Sequence, residues 1–148
     1  CRPKLLIADE PTTALDVTLQ AQILRLLNEL QHETGAGVAL ISHDVGVIGS
    51  VADHISVFYA GRVIESGTAE MVLRQPAHPY TQALLASLPR PGQTSLDSIA
   101  GQPPELSKLD AACAFAPRCR YRFERCAEDP PTVEVAEGHG SACWIANT

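Results

Sequence analysis

Two short apolar runs open the chain without polar alternation: Leu5-Leu6-Ile7-Ala8, and later Val38-Ala39-Leu40-Ile41. Runs of this kind predict strands buried on both faces, as in a parallel sheet. Between them Ile23, Leu26, Leu27 and Leu30 recur at helical spacing, which predicts a helix over 17–33. Asp16 stands where a cap is needed, and Gly35 and Gly37 end the pattern. A short helical stretch then leads to about Asp53, and Ile55 to Tyr59 reads as a third strand. Ala60-Gly61 predicts a tight turn, with Arg62 to Glu65 returning as a hairpin partner. Strand, helix, strand, helix, strand is the grammar of an α/β sheet covered by helices.

The rhythm changes after that. Thr68 is placed to cap a short helix to Leu73, stopped near Pro76. His78-Pro79-Tyr80 leads a second helix over 81–88, in which Leu84, Leu85 and Leu88 form the apolar face to bury. Pro79 suits a helix start because its missing N–H is not needed there. Residues 89–112 are rich in Pro, Gly and Ser and predict a linker or wrapped loop. Four cysteines follow, Cys113, Cys119, Cys126 and Cys143, whereas Cys1 is expected to be a small buried apolar residue.

Composition narrows the function. Of 148 residues 45% are apolar, enough for a core and too many for a disordered chain. The formal net charge of −6 argues against general nucleic-acid binding, which needs a basic footprint. No apolar run approaches the roughly 18 residues of a membrane-spanning helix, so any membrane role is expected to be peripheral. The opening on Cys1, with a core-type strand within four residues, suggests the C-terminal part of a longer chain.

The strand ends carry the chemistry. Asp9 and Glu10 follow the first strand and His43 follows the second. Ligands of open α/β sheets gather at the carboxyl ends of strands. There an aspartate can hold Mg²⁺, a second acid can orient a water, and an imidazole can donate to a phosphate. The consecutive Ser42-His43-Asp44 is not a hydrolase triad, because neighbouring residues point their side chains in different directions.

In order and spacing these residues resemble the ATP-binding cassette (ABC) ATPases. Leu5 to Glu10 looks like a Walker B strand with its glutamate, Thr13-Ala14-Leu15-Asp16 like the D-loop, and His43 after Leu40-Ile41-Ser42 like the switch histidine. The resemblance implies the C-terminal portion of a P-loop NTPase domain over 1–72, with a loop-rich extension over 73–148. It implies that Asp9 coordinates Mg²⁺ through water, Glu10 polarises the attacking water, Asp16 contacts a partner subunit, and His43 contacts the γ-phosphate. No G-x-x-x-x-G-K-[ST] phosphate loop and no Leu-Ser-Gly-Gly-Gln signature occurs in the 148 residues, so the chain alone is expected to be inactive toward ATP.

His78-Pro79-Tyr80-Thr81, Ile99-Ala100-Gly101-Gln102-Pro103-Pro104 and the Cys113 to Cys119 segment resemble the extension of oligopeptide and dipeptide importers. That implies an energy-coupling ATPase subunit at the cytoplasmic face of the membrane. Its implied partners are a second ATP-binding subunit, two permease subunits and an extracytoplasmic peptide-binding protein. Nickel importers of the same subfamily, or a non-catalytic metal-binding module, are the alternatives. Chromosome-maintenance ATPases share the strand motifs but use long coiled coils, and no sustained heptad pattern occurs here.

The cysteine spacing, C-x5-C-x6-C-x16-C, leaves three readings open. Disulfides suit an oxidising compartment. Zinc prefers a tight C-x2–4-C knuckle, which is missing. A four-iron four-sulfur cluster needs four thiolates and tolerates varied loops. Arg118, Arg120, Arg122 and Arg125 could offset a cluster's charge or meet Glu124, Glu128 and Asp129. The resemblance adds that subfamily members with this cysteine set are similar to ones carrying such a cluster, in a structural rather than a redox role.

Overall fold

A computed structural model describes residues 3–89, 98–109 and 111–147. The expectation for Cys1 and part of the expected linker lie outside these residues. The chain divides into two compact units, Cys1–Ala52 and Asp53–Thr148.

In the first unit β1 (Leu5–Asp9) and β2 (Gly37–Ile41) pair in parallel, Leu5 opposite Gly37 and Asp9 opposite Ile41. The helix α1 (Val17–Thr34) joins them. Its caps are those that the sequence suggests: the Asp16 side chain accepts from the Leu19 N–H, and Gly35 closes the helix at φ 67°. That left-handed turn suits a residue without a Cβ. The short helix α2 (Val45–Val51) follows, capped by Asp44, which accepts from the Gly46 and Val47 N–H groups.

One expectation is corrected here. The strands were expected to be buried on both faces, yet β1 and β2 alternate between exposed and half-buried positions. Leu5 is 57% exposed, Ile7 64% and Ile41 51%. Within this unit α1 meets β2, and no residue of the helix is buried.

The second unit is built on a different sheet. β3 (His54–Tyr59) and β4 (Arg62–Thr68) form an antiparallel hairpin, and with β5 (Val133–Ala136) and β6 (His139–Ser141) they make a sheet in the order β3-β4-β6-β5. The third strand therefore does not extend the β1–β2 sheet, contrary to the βαβ expectation. β3 pairs instead with β4, which the expected turn at Ala60 and Gly61, both at positive φ (50° and 78°), brings back beside it. β5 (Val133–Ala136) and β6 (His139–Ser141) add a second hairpin, so residues far apart in sequence share one sheet.

The helix α3 (Ala69–Arg74) starts on Thr68, whose hydroxyl accepts from the Met71 N–H. The helix α4 (Pro79–Ala86) begins two residues earlier than expected, with Pro79 in the first turn. Its buried residues are Pro79 and Thr81, whereas Leu84, Leu85 and Leu88 are only half-buried. The core of this unit is aromatic. Tyr59 stands 4.7 Å from Tyr80 and 5.3 Å from Phe115 between ring centres, and Tyr80 stands 5.4 Å from Phe115. Ile99, from the stretch read as a linker, packs against this cluster. Arg118 holds that stretch by donating to the Ile99 and Ala100 carbonyls.

Candidate functional site

Parallel pairing sets Asp9 beside Ile41, so the residues that follow both strands emerge at one edge. The Glu10 N–H donates to the Ile41 carbonyl at 2.9 Å and fixes the two chain exits together. Glu10 then takes φ 46° and Ala14 φ 64°, left-handed conformations that non-glycine residues seldom adopt. Such backbone strain clusters at functional sites.

His43 Nδ1 lies 2.9 Å from Glu10 Oε1. A carboxylate can only accept, so Nδ1 carries the proton. The Thr13 hydroxyl donates to the other oxygen, Oε2, at 2.9 Å. The hydrogen bond from His43, and secondly that from Thr13, lowers the Glu10 pKa. The same contact with Glu10 raises the His43 pKa. The contact therefore favours the carboxylate–imidazolium form of the pair.

Of the four residues singled out at this edge, the structure brings Glu10 and His43 together. Asp9 ends β1 with its side chain exposed, and Asp16 is engaged as the cap of α1. Ser42 and Asp44 are used locally: the Ser42 hydroxyl accepts from the Asp44 N–H, and Asp44 caps α2. No triad forms.

Of the four cysteines of the second unit, Cys113 and Cys126 meet through main chain and packing. The Cys113 N–H donates to the Cys126 carbonyl at 3.2 Å. Cys113 packs against the buried cluster of Ala116, Cys126 and Trp144. Burial, ahead of every other cause, pushes the thiols of Cys113 and Cys119 up. No disulfide links the four.

Among the described residues no three His, Cys, Asp or Glu side chains are grouped so as to hold a single metal ion. A zinc ion about 2.3 Å from each sulfur would draw its thiolates to within about 4 Å of one another. A four-iron cluster interposes its own iron and sulfide, so its thiolates stand farther apart. The arginines beside the cysteines do not meet the nearby acids as one alternative supposed. Arg118 bonds to main chain, Arg120 lies over Tyr121, Arg125 lies over Trp144, and Asp129 instead pairs with Arg62.

One constellation escaped sequence reading. Glu65 is 0% exposed, in the middle of β4. Its Oε1 accepts from the Ala77 N–H at 2.7 Å and its Oε2 from the His78 N–H at 2.9 Å. His139 Nε2 donates to Oε1 at 2.8 Å. His78 Nδ1 in turn accepts from the Tyr80 N–H and so caps α4. Burial lowers the His78 pKa to about 4, which keeps the ring neutral and able to accept. Ser141 is the register partner of Glu65 and its hydroxyl is buried without a hydrogen-bond partner. Glu65, His139 and Ser141 are therefore an anchor rather than a catalytic set, since the hydroxyl contacts neither base nor solvent. A charged residue at an inward position of a hairpin is the signal that could have exposed it.

The comparisons agree with both halves of the chain. Residues 64–126 match the family model of the oligopeptide/dipeptide transporter C-terminal region. A peptide import ATP-binding protein of Brucella ovis is 50% identical over 152 aligned positions, 97% of this chain and 45% of that protein. The oligopeptide transport ATP-binding protein OppD of Escherichia coli is 50% identical over 147, covering 97% and 43%. A solved structure, cbiO1 of Clostridium perfringens from the ABC transporter complex cbiONQ, is 37% identical over 49% of this chain and 29% of its own, with a TM-score of 0.46. The chain spans less than half the length of the curated relatives it matches. Over nearly its whole length, and in the matched extension, the chain is similar to ATP-binding proteins of peptide and oligopeptide import.

Proposed function

We propose that this chain supplies the hydrolysis edge and the C-terminal extension of an ATP-hydrolysing subunit that powers import of oligopeptides or dipeptides. The observation that carries this reading is the 2.9 Å contact of His43 with Glu10 at the paired carboxyl ends of two parallel strands. Asp9 and Glu10 offer oxygen donors of the kind Mg²⁺ takes, and Asp9 is the one assigned to hold it through water. The ion would neutralise charge developing on the phosphates. Glu10 orients and polarises the attacking water, and His43 donates to the terminal phosphate and senses its presence. In their absence His43 and Glu10 hold each other, so the base is occupied until a phosphate competes for the imidazole.

Asp16 keeps α1 capped and is assigned the contact across a dimer of ATP-binding subunits. Two permease subunits and an extracytoplasmic binding protein complete the importer, with this subunit peripheral on the cytoplasmic face. No helix among the described residues is long and apolar enough to cross a membrane, in keeping with that placement. The functional division remains 1–72 for the ATPase portion and 73–148 for the extension. The four thiols of Cys113, Cys119, Cys126 and Cys143 hold a four-iron four-sulfur cluster that ties loops with little core of their own.

The test uses the protein at the full length of its relatives, with phosphate loop and signature present. There Glu10→Gln should bind ATP, accumulate the nucleotide-bound dimer and lose at least about a hundredfold in hydrolysis. Hydrolysis at the wild-type rate would remove Glu10 from the base role. The 148-residue chain alone should show no tight Mg-ATP binding by calorimetry.

A further inference from the structure

A cavity of about 420 Å³ opens beside the β3–β4 turn of the second unit. That volume falls within the roughly 300–1,000 Å³ of small-molecule sites. Val63, Ile64, Phe115, Pro130 and Pro131 supply its apolar wall. Val63 is 40% exposed, so part of that wall faces solvent uncovered.

Two opposite charges stand on the same lining. The Arg62 guanidinium donates to the Asp129 carboxylate, and their side chains remain 58% and 41% exposed. Arg62 opens β4 directly after the Ala60-Gly61 turn. Asp129 precedes Pro130, which restricts its backbone to extended forms. Three further polar groups of the lining carry no charge. The Tyr59 hydroxyl accepts from Arg118. His78 Nδ1 accepts from the Tyr80 N–H, and burial lowers its pKa to about 4, so the ring is neutral. Burial pushes the Cys113 thiol up and keeps it protonated.

An exposed ion pair contributes little to stability and is easily exchanged. A ligand that brings its own carboxylate and ammonium gives each protein charge a new partner. An anion alone would set its charge beside Asp129, and a cation alone beside Arg62, so each would meet a like charge. The apolar wall next to the pair favours a hydrocarbon or aromatic group on the same ligand. We propose that this cavity binds a small zwitterion with an apolar side chain, its carboxylate on Arg62 and its ammonium on Asp129. Free apolar amino acids and short apolar peptides share that chemistry. The site lies within the second unit and involves no nucleotide, so it stands or falls apart from the reading of Glu10 and His43.

Calorimetry on the full 148-residue chain tests it with phenylalanine, leucyl-leucine, glycine, 3-phenylpropionate and phenethylamine. Phenylalanine or leucyl-leucine should bind with a Kd below about 1 mM, and the tighter of the two tells a single amino acid from a peptide. Glycine, 3-phenylpropionate and phenethylamine should each bind at least about tenfold more weakly. The backbone amide signals of Val63, Ala114 and Thr132 should shift on titration and place the ligand in the cavity. Arg62→Gln should bring the zwitterion down to about the affinity of the amine alone, and Asp129→Asn to about that of the acid alone. Urea midpoints of both variants should stay within about 0.5 M of wild type, since the pair they break is exposed. The five probes on the wild type carry the test where a variant folds poorly. A folded wild type that binds neither zwitterion at about 10 mM overturns the proposal. Equal binding of zwitterion, acid and amine overturns it as well, as does undiminished zwitterion binding in both variants.

Discussion

Glu65 offers the sharpest test of what holds the second unit together. Replacing it by alanine strips the acceptor from two main-chain N–H groups, those of Ala77 and His78, and from His139 Nε2. All of this occurs where the carboxylate is wholly buried. Each buried donor left without a partner costs about 1–3 kcal/mol, and three donors lose theirs here. The losses overlap, so the expected destabilisation is about 3–5 kcal/mol, a large share of the roughly 5–15 kcal/mol that holds a domain together. Urea unfolding followed by Trp144 fluorescence reads this unit directly. With a slope near 1.5 kcal/mol per molar, the midpoint should fall by about 2–3 M. Glu65→Gln keeps one oxygen acceptor and should fall by less. His139→Ala combined with Glu65→Ala should cost less than the sum of the two, because both remove the same contact. A midpoint for Glu65→Ala within about 0.5 M of wild type would mean that the buried carboxylate does not anchor the extension.

Three further outcomes are expected. The His43 ring titration by NMR should lie above the usual value and should drop back toward about 6.5 in Glu10→Gln, since the partner carboxylate is what raises it; the pair exists only between the lowered Glu10 pKa and the raised His43 pKa. Burial depresses His78 from 6.5 to about 4, so its contribution to stability is complete above about pH 6.5 and is lost as pH falls toward 4. That loss amounts to at most about 3 kcal/mol. The wild type should lose this increment between pH 7 and 4, and His78→Asn, which keeps a capping acceptor, should lose less over the same range. Asp16→Ala should weaken α1 by about 1 kcal/mol, read as faster amide exchange in its first turn, because the Leu19 N–H loses its acceptor.

What the sequence disclosed and what it hid follow from how local each feature is. Asp16, Gly35, Thr68 and Pro79 act within a turn of themselves, and each sits where a propensity rule places it. The Glu10–His43 contact spans 33 residues yet was legible, because two buried-type strands in parallel register bring their ends together. The β5–β6 hairpin was missed. Its strands are four and three residues long, and one is His-Gly-Ser, which carries no apolar pattern. Glu65 was missed for the opposite reason. It looks like a solvent-facing strand residue until a histidine 74 positions later closes over it.

The His-Pro-Tyr segment shows why a motif and its physics have to be read separately. As a string it marks the transporter extension. In the structure each of its residues has a local structural role. His78 accepts from the Tyr80 N–H to start α4, while its own N–H is held by Glu65. Pro79 fills the first turn, where its missing N–H goes unnoticed. Tyr80 closes the aromatic core with Tyr59 and Phe115. Phe115 lies two residues past Cys113, so the same core fixes where the cysteine loops begin. The motif therefore acts within the second unit, where it starts α4 and closes the aromatic core. A substitution in it should thus act through folding of that unit.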